Sequence, residues 1–243
     1  MYCAGKGNGI TDRELNILTL SPFTILDLFC DDLECKIAGY LPENKKMIVP
    51  KGYVFYEQGE VVDSIFYLKG GVAMETIMNE NGLKKTFLIA SQYPLGLHYC
   101  GHHQPIFPDT TAYTECEVYK FTYDEFLKIM QKDIELLRNI IHVISIDFRL
   151  ANSSAMQNYT CSTHEKICQT LLSYFIASKY NPHIRNLKLT QELIAGLTGV
   201  HRVSVARSIQ KLKQDGIITY AHNQIKLIDY DSMFETAYRM YVI

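Results

Sequence analysis

Apolar and polar positions follow two different rhythms along this chain, and the change of rhythm divides it. Between Lys46 and Asp124 the apolar residues come in short runs rich in Val, Ile, Phe and Tyr, at residues 47–49, 53–56, 64–68, 72–77, 86–89, 112–114 and 117–121. Gly52, Gly59, Gly70, Gly71, Asn81, Gly82 and Pro94 punctuate them. β-Branched and aromatic runs of this length between turn formers predict strands, and so many at close spacing predict a roll or barrel. Such a barrel either encloses one small ligand or is filled by its own side chains.

From Ile134 the period lengthens to three and four. Ile134, Leu137, Ile141, Ile144, Phe148, Ala151, Ala155 and Asn158 form one continuous stripe, the seam of a two-stranded coiled coil. A dimerisation helix is predicted. The competing reading lays the stripe on the chain's own barrel, but Ile140, Val143 and Asp147 border a second face suited to that contact. About 25 helical residues would span about 37 Å. The small residues at 151–155 permit close helix approach and soften a hinge before the C-terminal third.

Residues 189–212 read LTQELIAGLTGVHRVSVARSIQKL, two short helices with a turn between them. Thr190 is a candidate N-cap, Leu193, Ile194 and Leu197 supply an apolar face, and Gly199 stands where the chain must turn. In the second helix Val205, Ile209 and Leu212 recur at inward spacing, leaving His201, Arg202, Val203, Ser204, Arg207 and Ser208 outward. Arg can donate two hydrogen bonds to guanine in a major groove, and Val can only meet a thymine methyl. The alternative is a helical hairpin with a solvated basic face. Beyond it, Ile217, Ile218, Tyr220, Ile225 and Leu227 fit two strands joined at residues 221–224, a wing.

Charge counted by segment supports the DNA reading. Residues 160–215 hold eight Lys or Arg against three Asp or Glu, a balance of +5, whereas residues 1–159 hold fourteen against twenty, a balance of −6. Only the C-terminal third suits a polyanion. The length, 243 residues, favours two domains, and 47% apolar with 21% charged residues is an ordinary globular mixture. No apolar run approaches the roughly 20 residues that cross a bilayer, and the N-terminus lacks a signal-sequence pattern, so a cytoplasmic protein without membrane contact is expected. Seven cysteines, scattered without a C-x-x-C pair, indicate neither a disulfide framework nor a standard zinc site. Nucleophile elbow, P-loop and dinucleotide fingerprint are missing, so the chain is read as no enzyme.

Barrel, dimer helix and winged helix-turn-helix in this order resemble the cyclic-AMP receptor / fumarate-nitrate regulator (CRP/FNR) superfamily of bacterial transcription factors. The segments VPKGYVFYEQGEVVDSIFYLKGGVAM, TAYTECEVYKFTYDEF and HRVSVAR carry the resemblance, over roughly residues 25–230. It implies an α+β chain: an N-terminal extension (1–24), a β-roll sensor of double-stranded jelly-roll, cyclic-nucleotide-binding-like type (25–124), a dimerisation helix and hinge (125–160), and a winged helix-turn-helix domain (161–243). It also implies a homodimer on palindromic double-stranded DNA, an allosteric small-molecule effector, and an activator's contact with RNA polymerase.

Departures from that pattern narrow the effector. Where cyclic-nucleotide sensors carry Gly-Glu and Arg-Ser pairs, this chain has Gly96–Leu97 and then Ile106–Phe107 or Pro108–Asp109, so a cyclic phosphate finds no partner. Cys3, Cys30 and Cys35 are too sparse for an iron–sulfur centre. The sequence is most similar to the halorespiration branch (CprK-type), which senses chlorinated aromatic acids. That implies an aromatic-acid-like effector between roll and dimer helix, with Lys84, Lys85, Leu97, His98, Tyr99 and Phe107 as the candidate contacts. No resident cofactor or metal is expected. The alternative is a haem, metal or redox sensor using His98 or Cys100 of HYCGHH, because His98 resembles the haem ligand of carbon-monoxide sensors.

For DNA, Arg202, Val203, Ser204 and Arg207 are the candidate base readers, and Thr190, Gln191, His201 and Lys211 the backbone contacts. Most of the superfamily carries Glu where this chain has Val203. Losing that acceptor points to an A/T-rich half-site, like the TTAAT-type boxes of the halorespiration regulators. The dimer contacts are Ile134, Leu137, Ile141, Ile144, Phe148 and Ala151.

Overall fold

The computed structural model describes residues 9–25, 37, 39–90, 92–101, 103–221 and 224–238. Cys3, Cys30, Cys35, His102 and the tip of the wing lie outside them. The chain folds as two compact units, the first built mainly from Thr24–Ile77 and Leu88–Phe148, the second from Ile10–Phe23, Met78–Phe87 and Arg149–Ile243. These units do not follow linear segments: the N-terminal helix and the tip of one hairpin belong with the C-terminal region.

Two sheets, drawn mainly from the first unit, form the roll. One has the order β1-β6-β5-β8-β3, from Phe23–Thr24, Lys84–Ala90, Val72–Met78, Asp109–Ala112 and Val54–Tyr56. The other runs β2-β9-β4-β7, from Lys46–Val49, Cys116–Thr122, Ser64–Gly70 and Tyr93–Leu95. Ile65, Tyr67, Leu68, Leu88, Val118 and Phe121 fill the core. Gly71 makes the β4–β5 turn at φ +96°, where a Cβ would come 2.4 Å from the Glu115 carbonyl oxygen.

Three strand expectations need correction. The run expected at 112–114 begins earlier, as β8 at Asp109, and Tyr113 and Thr114 lie beyond it. Residues 93–95 form a strand, β7, although Pro94 reads as a breaker. The reason is position: β7 is the edge of its sheet, where a missing N–H breaks no ladder. The edge strand β1, only two residues long, carried no detectable pattern.

A 3-10 turn at Glu43–Lys45 precedes β2, and α2 (Leu97–Cys100) follows β7. Thr122 opens α3 (Tyr123–Lys132) with a capping box, its hydroxyl accepting from Glu125 N while Glu125 accepts from Thr122 N. Asp133 then breaks the helix in an extended conformation and starts α4, Ile134–Thr160. Its carboxylate accepts from the N–H groups of Glu135 and Leu136. The predicted helix is therefore two helices, of which α4 has 27 residues. On α4, Leu136, Ile140, Val143 and Ile146 are buried, while Ile134, Ile141, Ile144 and Phe148 are exposed.

In the second unit, Ser162 caps α5 (Thr163–Tyr180), whose Ile167, Cys168, Leu171, Leu172 and Ile176 form the centre of a helical core. Around it lie α6 (Pro182–Arg185), α7 (Gln191–Thr198), α8 (Arg202–Gln214) and α9 (Tyr230–Ala237), with β10 (Ile218–Ala221) and β11 (Gln224–Leu227) as the wing. The N-terminal residues, which sequence left unplaced, form α1 (Asp12–Leu18) against this core: Glu14 accepts from Lys179 Nζ and Tyr180 Oη, both at 2.8 Å. Arg13 lies 3.5 Å above the Phe234 ring.

Candidate functional site

The helix pair α7–α8 is built by local chemistry. Thr190 Oγ1 accepts from Leu193 N at 3.1 Å, closing the first turn of α7. Gly199 ends the helix at φ +68°, and Val200 N returns to the Ala195 carbonyl at 3.1 Å. Leu193, Ile194 and Leu197 of α7 and Val205, Ile209 and Leu212 of α8 are buried. The opposite face of α8 is left to solvent. His201, Arg202, Arg207 and Lys211 are exposed, Val203 is 61% exposed, and Ser204 is half-buried. An apolar residue so exposed among cations contributes nothing to the fold. Thr190 is exposed and Gln191 half-buried at the start of α7. One sequence assignment fails: Ser208 is 7% exposed, because it shares the inward side with Val205 and Ile209.

Lys85 Nζ, proposed from sequence as an effector contact, instead donates to the Leu197 carbonyl at 2.6 Å, satisfying an end carbonyl of α7. Burial, with the charge of Lys166 second, holds its ammonium down to about 8. Lys84 is exposed in the same part of the second unit. The other candidates lie in the first unit. Leu97, His98 and Tyr99 follow one another on α2, with the His98 and Tyr99 ring centroids 4.4 Å apart. Phe107 is 70% exposed, lining no enclosed space. Lys84 and Lys85 thus belong to the second unit, and Leu97, His98, Tyr99 and Phe107 to the first.

Cys100 is buried, and its thiol donates to the Ser64 carbonyl at 3.4 Å. Burial, then the nearby charge of Asp63, pushes it up to about 11, which keeps it a protonated thiol and a poor redox nucleophile. Among the described residues no three His, Cys, Asp or Glu side chains are grouped to hold a metal ion.

A polar cluster that sequence missed lies in the first unit between the five-stranded sheet and α4. Tyr93 Oη of β7 donates to Asp147 Oδ2 at 2.6 Å. Burial first, and the charge of Asp147 second, push the Glu75 carboxyl up to about 7. Burial also pushes Asp147 up to about 7, although the Tyr93 bond works against it. Asp147 interrupts an apolar helix face and Glu75 sits mid-strand, the only signals available beforehand. The seam residues Ile134, Ile141, Ile144, Phe148 and Ala151 all stand exposed on α4, and Leu137 is half-buried beside them.

Comparison with known proteins agrees with this geometry. Residues 165–235 match the Crp-like helix-turn-helix domain family. No curated protein matches in sequence. Among solved structures, FixK2 from Bradyrhizobium japonicum superposes with a TM-score of 0.64 at 14% identity, covering 79% of this chain and 96% of its own. OCPA-complexed CprK gives 0.64 at 18% identity, covering 88% and 97%. A CooA mutant from Carboxydothermus hydrogenoformans gives 0.65 at 16%, covering 79% and 87%. CprK is one such likeness among several. No helix among the described residues is long and apolar enough to cross a membrane. The chain has the α+β fold of CRP/FNR regulators, with a sheet domain, a long helix and a C-terminal Crp-like helix-turn-helix domain.

Proposed function

We propose that the protein is a cytoplasmic, dimeric transcription regulator that reads an A/T-rich palindrome with α8 and answers to a small organic molecule held between the sheet and α4 of the first unit. The observation that carries this reading is the exposed Arg202–Val203–Arg207 face on a Crp-like domain whose other face is buried. The exposed seam of α4 supports pairing of two chains, since a stripe of Ile134, Ile141, Ile144 and Phe148 is costly to leave in water. Two copies would set their α8 helices for half-sites about 34–36 Å apart.

Anisotropy titration of the protein on A/T-rich palindromes tests it. Val203→Glu is expected to move preference toward a G·C pair at one position per half-site by ~1–3 kcal/mol. Phe148→Asp is expected to give monomers in sedimentation and weaker DNA binding. Unchanged base preference in the first variant would sink the docking of α8, and a monomeric wild type would sink the pairing. The reading assigns no resident haem. A Soret band from protein purified without air would overturn that part and make His98 the residue to change.

The aromatic-acid form of the effector calls for one donor to a carboxylate or phenolate, from Tyr99, Lys84, Lys85 or His98. Lys85 is committed to Leu197 in the second unit, so the effector chemistry of the first unit is read from that unit's own polar groups.

A further inference from the structure

Among the described residues, the inner side of the first unit gathers acceptors that form no ion pair with its lysines and arginines. Lys45 pairs with Glu125, Lys46 and Lys69 with Glu117, and Arg138 with Glu135 within α4. The charge of Asp147 on α4 reaches Glu75 of β5 and adds to its cost of ionisation, and Tyr93 supplies Asp147 with one donor. Tyr99 of α2 feels the same negative field: burial, then the charge of Glu75, pushes its hydroxyl upward. Glu75, Tyr99 and Asp147 are half-buried, so each keeps some contact with solvent.

A second observation points to a ligand. Thr110 of β8 is the cross-strand partner of Glu75, so their side chains leave the sheet on the same face. Thr110 is 0% exposed, and its Oγ1 is buried with no hydrogen-bond partner. A buried hydroxyl left unanswered costs on the order of 1–3 kcal/mol, which a bound donor would recover. Tyr56, on the far side of Thr110, is already committed to the carbonyls of Ser64 and Leu95.

We propose that this cluster is the effector site and takes a small organic cation, an ammonium or amidinium, bridging Glu75 and Asp147 with a further N–H on Thr110 Oγ1. Among the described residues no three His, Cys, Asp or Glu side chains are grouped to hold a metal ion, and the third polar group here is a neutral hydroxyl. An aromatic carboxylate would be opposed by the ionised fraction of the pair and would bring no donor to Thr110 Oγ1. An amidinium meets two carboxylates with a planar fork of donors. Its arrival ionises both acids fully, so binding at neutral pH releases protons. The inference rests on the reading of the first unit as a sensor.

Calorimetric titration with benzamidine and with benzoate, near pH 7 in two buffers of different ionisation enthalpy, tests it. Benzamidine is expected to bind saturably with proton release, and benzoate not to bind. Glu75→Gln and Asp147→Asn, near-isosteric with the protonated acids, should each weaken benzamidine by about tenfold or more, and Thr110→Val by a few-fold. Benzoate binding as well as benzamidine, unchanged affinity in Glu75→Gln, or no saturable benzamidine binding up to about 10 mM would overturn it. The same preparations are assayed on the A/T-rich palindrome. DNA binding without benzamidine binding defeats the cation site alone, and failure to bind any palindrome defeats the regulator reading itself.

Discussion

Two glutamates, one in each unit, show what a carboxyl does when its neighbourhood is complete and when it is not. Glu14, in the second unit, is desolvated, yet donors from Lys179, Thr11 and Tyr180 outweigh that penalty and hold it down to about 2. Glu75, in the first, is desolvated too, but meets the charge of Asp147 and is pushed up to about 7. Burial acts alike on both. The partners set the sign: the first arrangement is a structural clasp for α1, and the second keeps an unmet demand for positive charge.

The largest effect expected from breaking this contrast is in Glu14→Gln. A carboxyl depressed in the native state stabilises it fully above the ordinary value of 4.5 and loses that contribution as the pH falls toward 2. The variant should therefore lose about 2–3 kcal/mol of local stability at neutral pH, read as faster hydrogen exchange in α1. Unchanged exchange would reduce Glu14 to a surface group.

Next come Glu75→Gln and Asp147→Asn, with the opposite sign. Native carboxyls raised to about 7 hold protons that the unfolded chain has already released, so wild-type stability should decline as the pH rises from about 4.5 through 7. Each variant should flatten that decline and be more stable above pH 7 by about 1–2 kcal/mol, seen in melting temperature against pH. A wild type that gains stability across this window would contradict the arrangement.

Lys85 extends the comparison to a buried cation. Its native value of about 8 lies below the ordinary 10.5, so the second unit should gain stability between those two pH values, where the unfolded chain holds the extra proton. Lys85→Met should abolish the gain, with a net change at neutral pH within about 1 kcal/mol, because relief of desolvation offsets the lost bond to Leu197. A gain retained in the variant would assign it to another group.

The smallest effect on stability is expected at Lys211, exposed on α8. Lys211→Ala should leave melting within about 0.5 kcal/mol. It should lower the slope of log affinity against log salt by about 1, with base preference unchanged. A change in preferred bases would move Lys211 from the phosphate contacts to the base readers.

The α7–α8 pair was legible because every determinant is local. Thr190, Gly199 and the spacing of Val205, Ile209 and Leu212 lie within one short segment, and helical periodicity assigns faces directly. Ser208 escaped because a small polar residue fits either side of a helix. The stripe of α4 was legible for the same reason, and so was the choice of Ile140 and Val143 for the opposite face. Pro94 misled because propensity carries no information about which strand is an edge.

The cation-hungry cluster was not legible. Glu75, Tyr93, Thr110 and Asp147 come from four elements, and only the register Glu75↔Thr110 and the packing of α4 bring them together. Lys84 and Lys85 read as possible donors to a carboxylate from their charge, and a single residue's charge does not say that Lys85 Nζ meets the Leu197 carbonyl. By itself the sequence determined the α7–α8 pair, most of its inward and outward positions and the two faces of α4, since these depend on contacts within a few turns. Tertiary structure alone decided where α1 docks, what Lys85 holds and which carboxyls are left unanswered. Those outcomes depend on desolvation and charge between residues far apart in the chain, which no local pattern encodes.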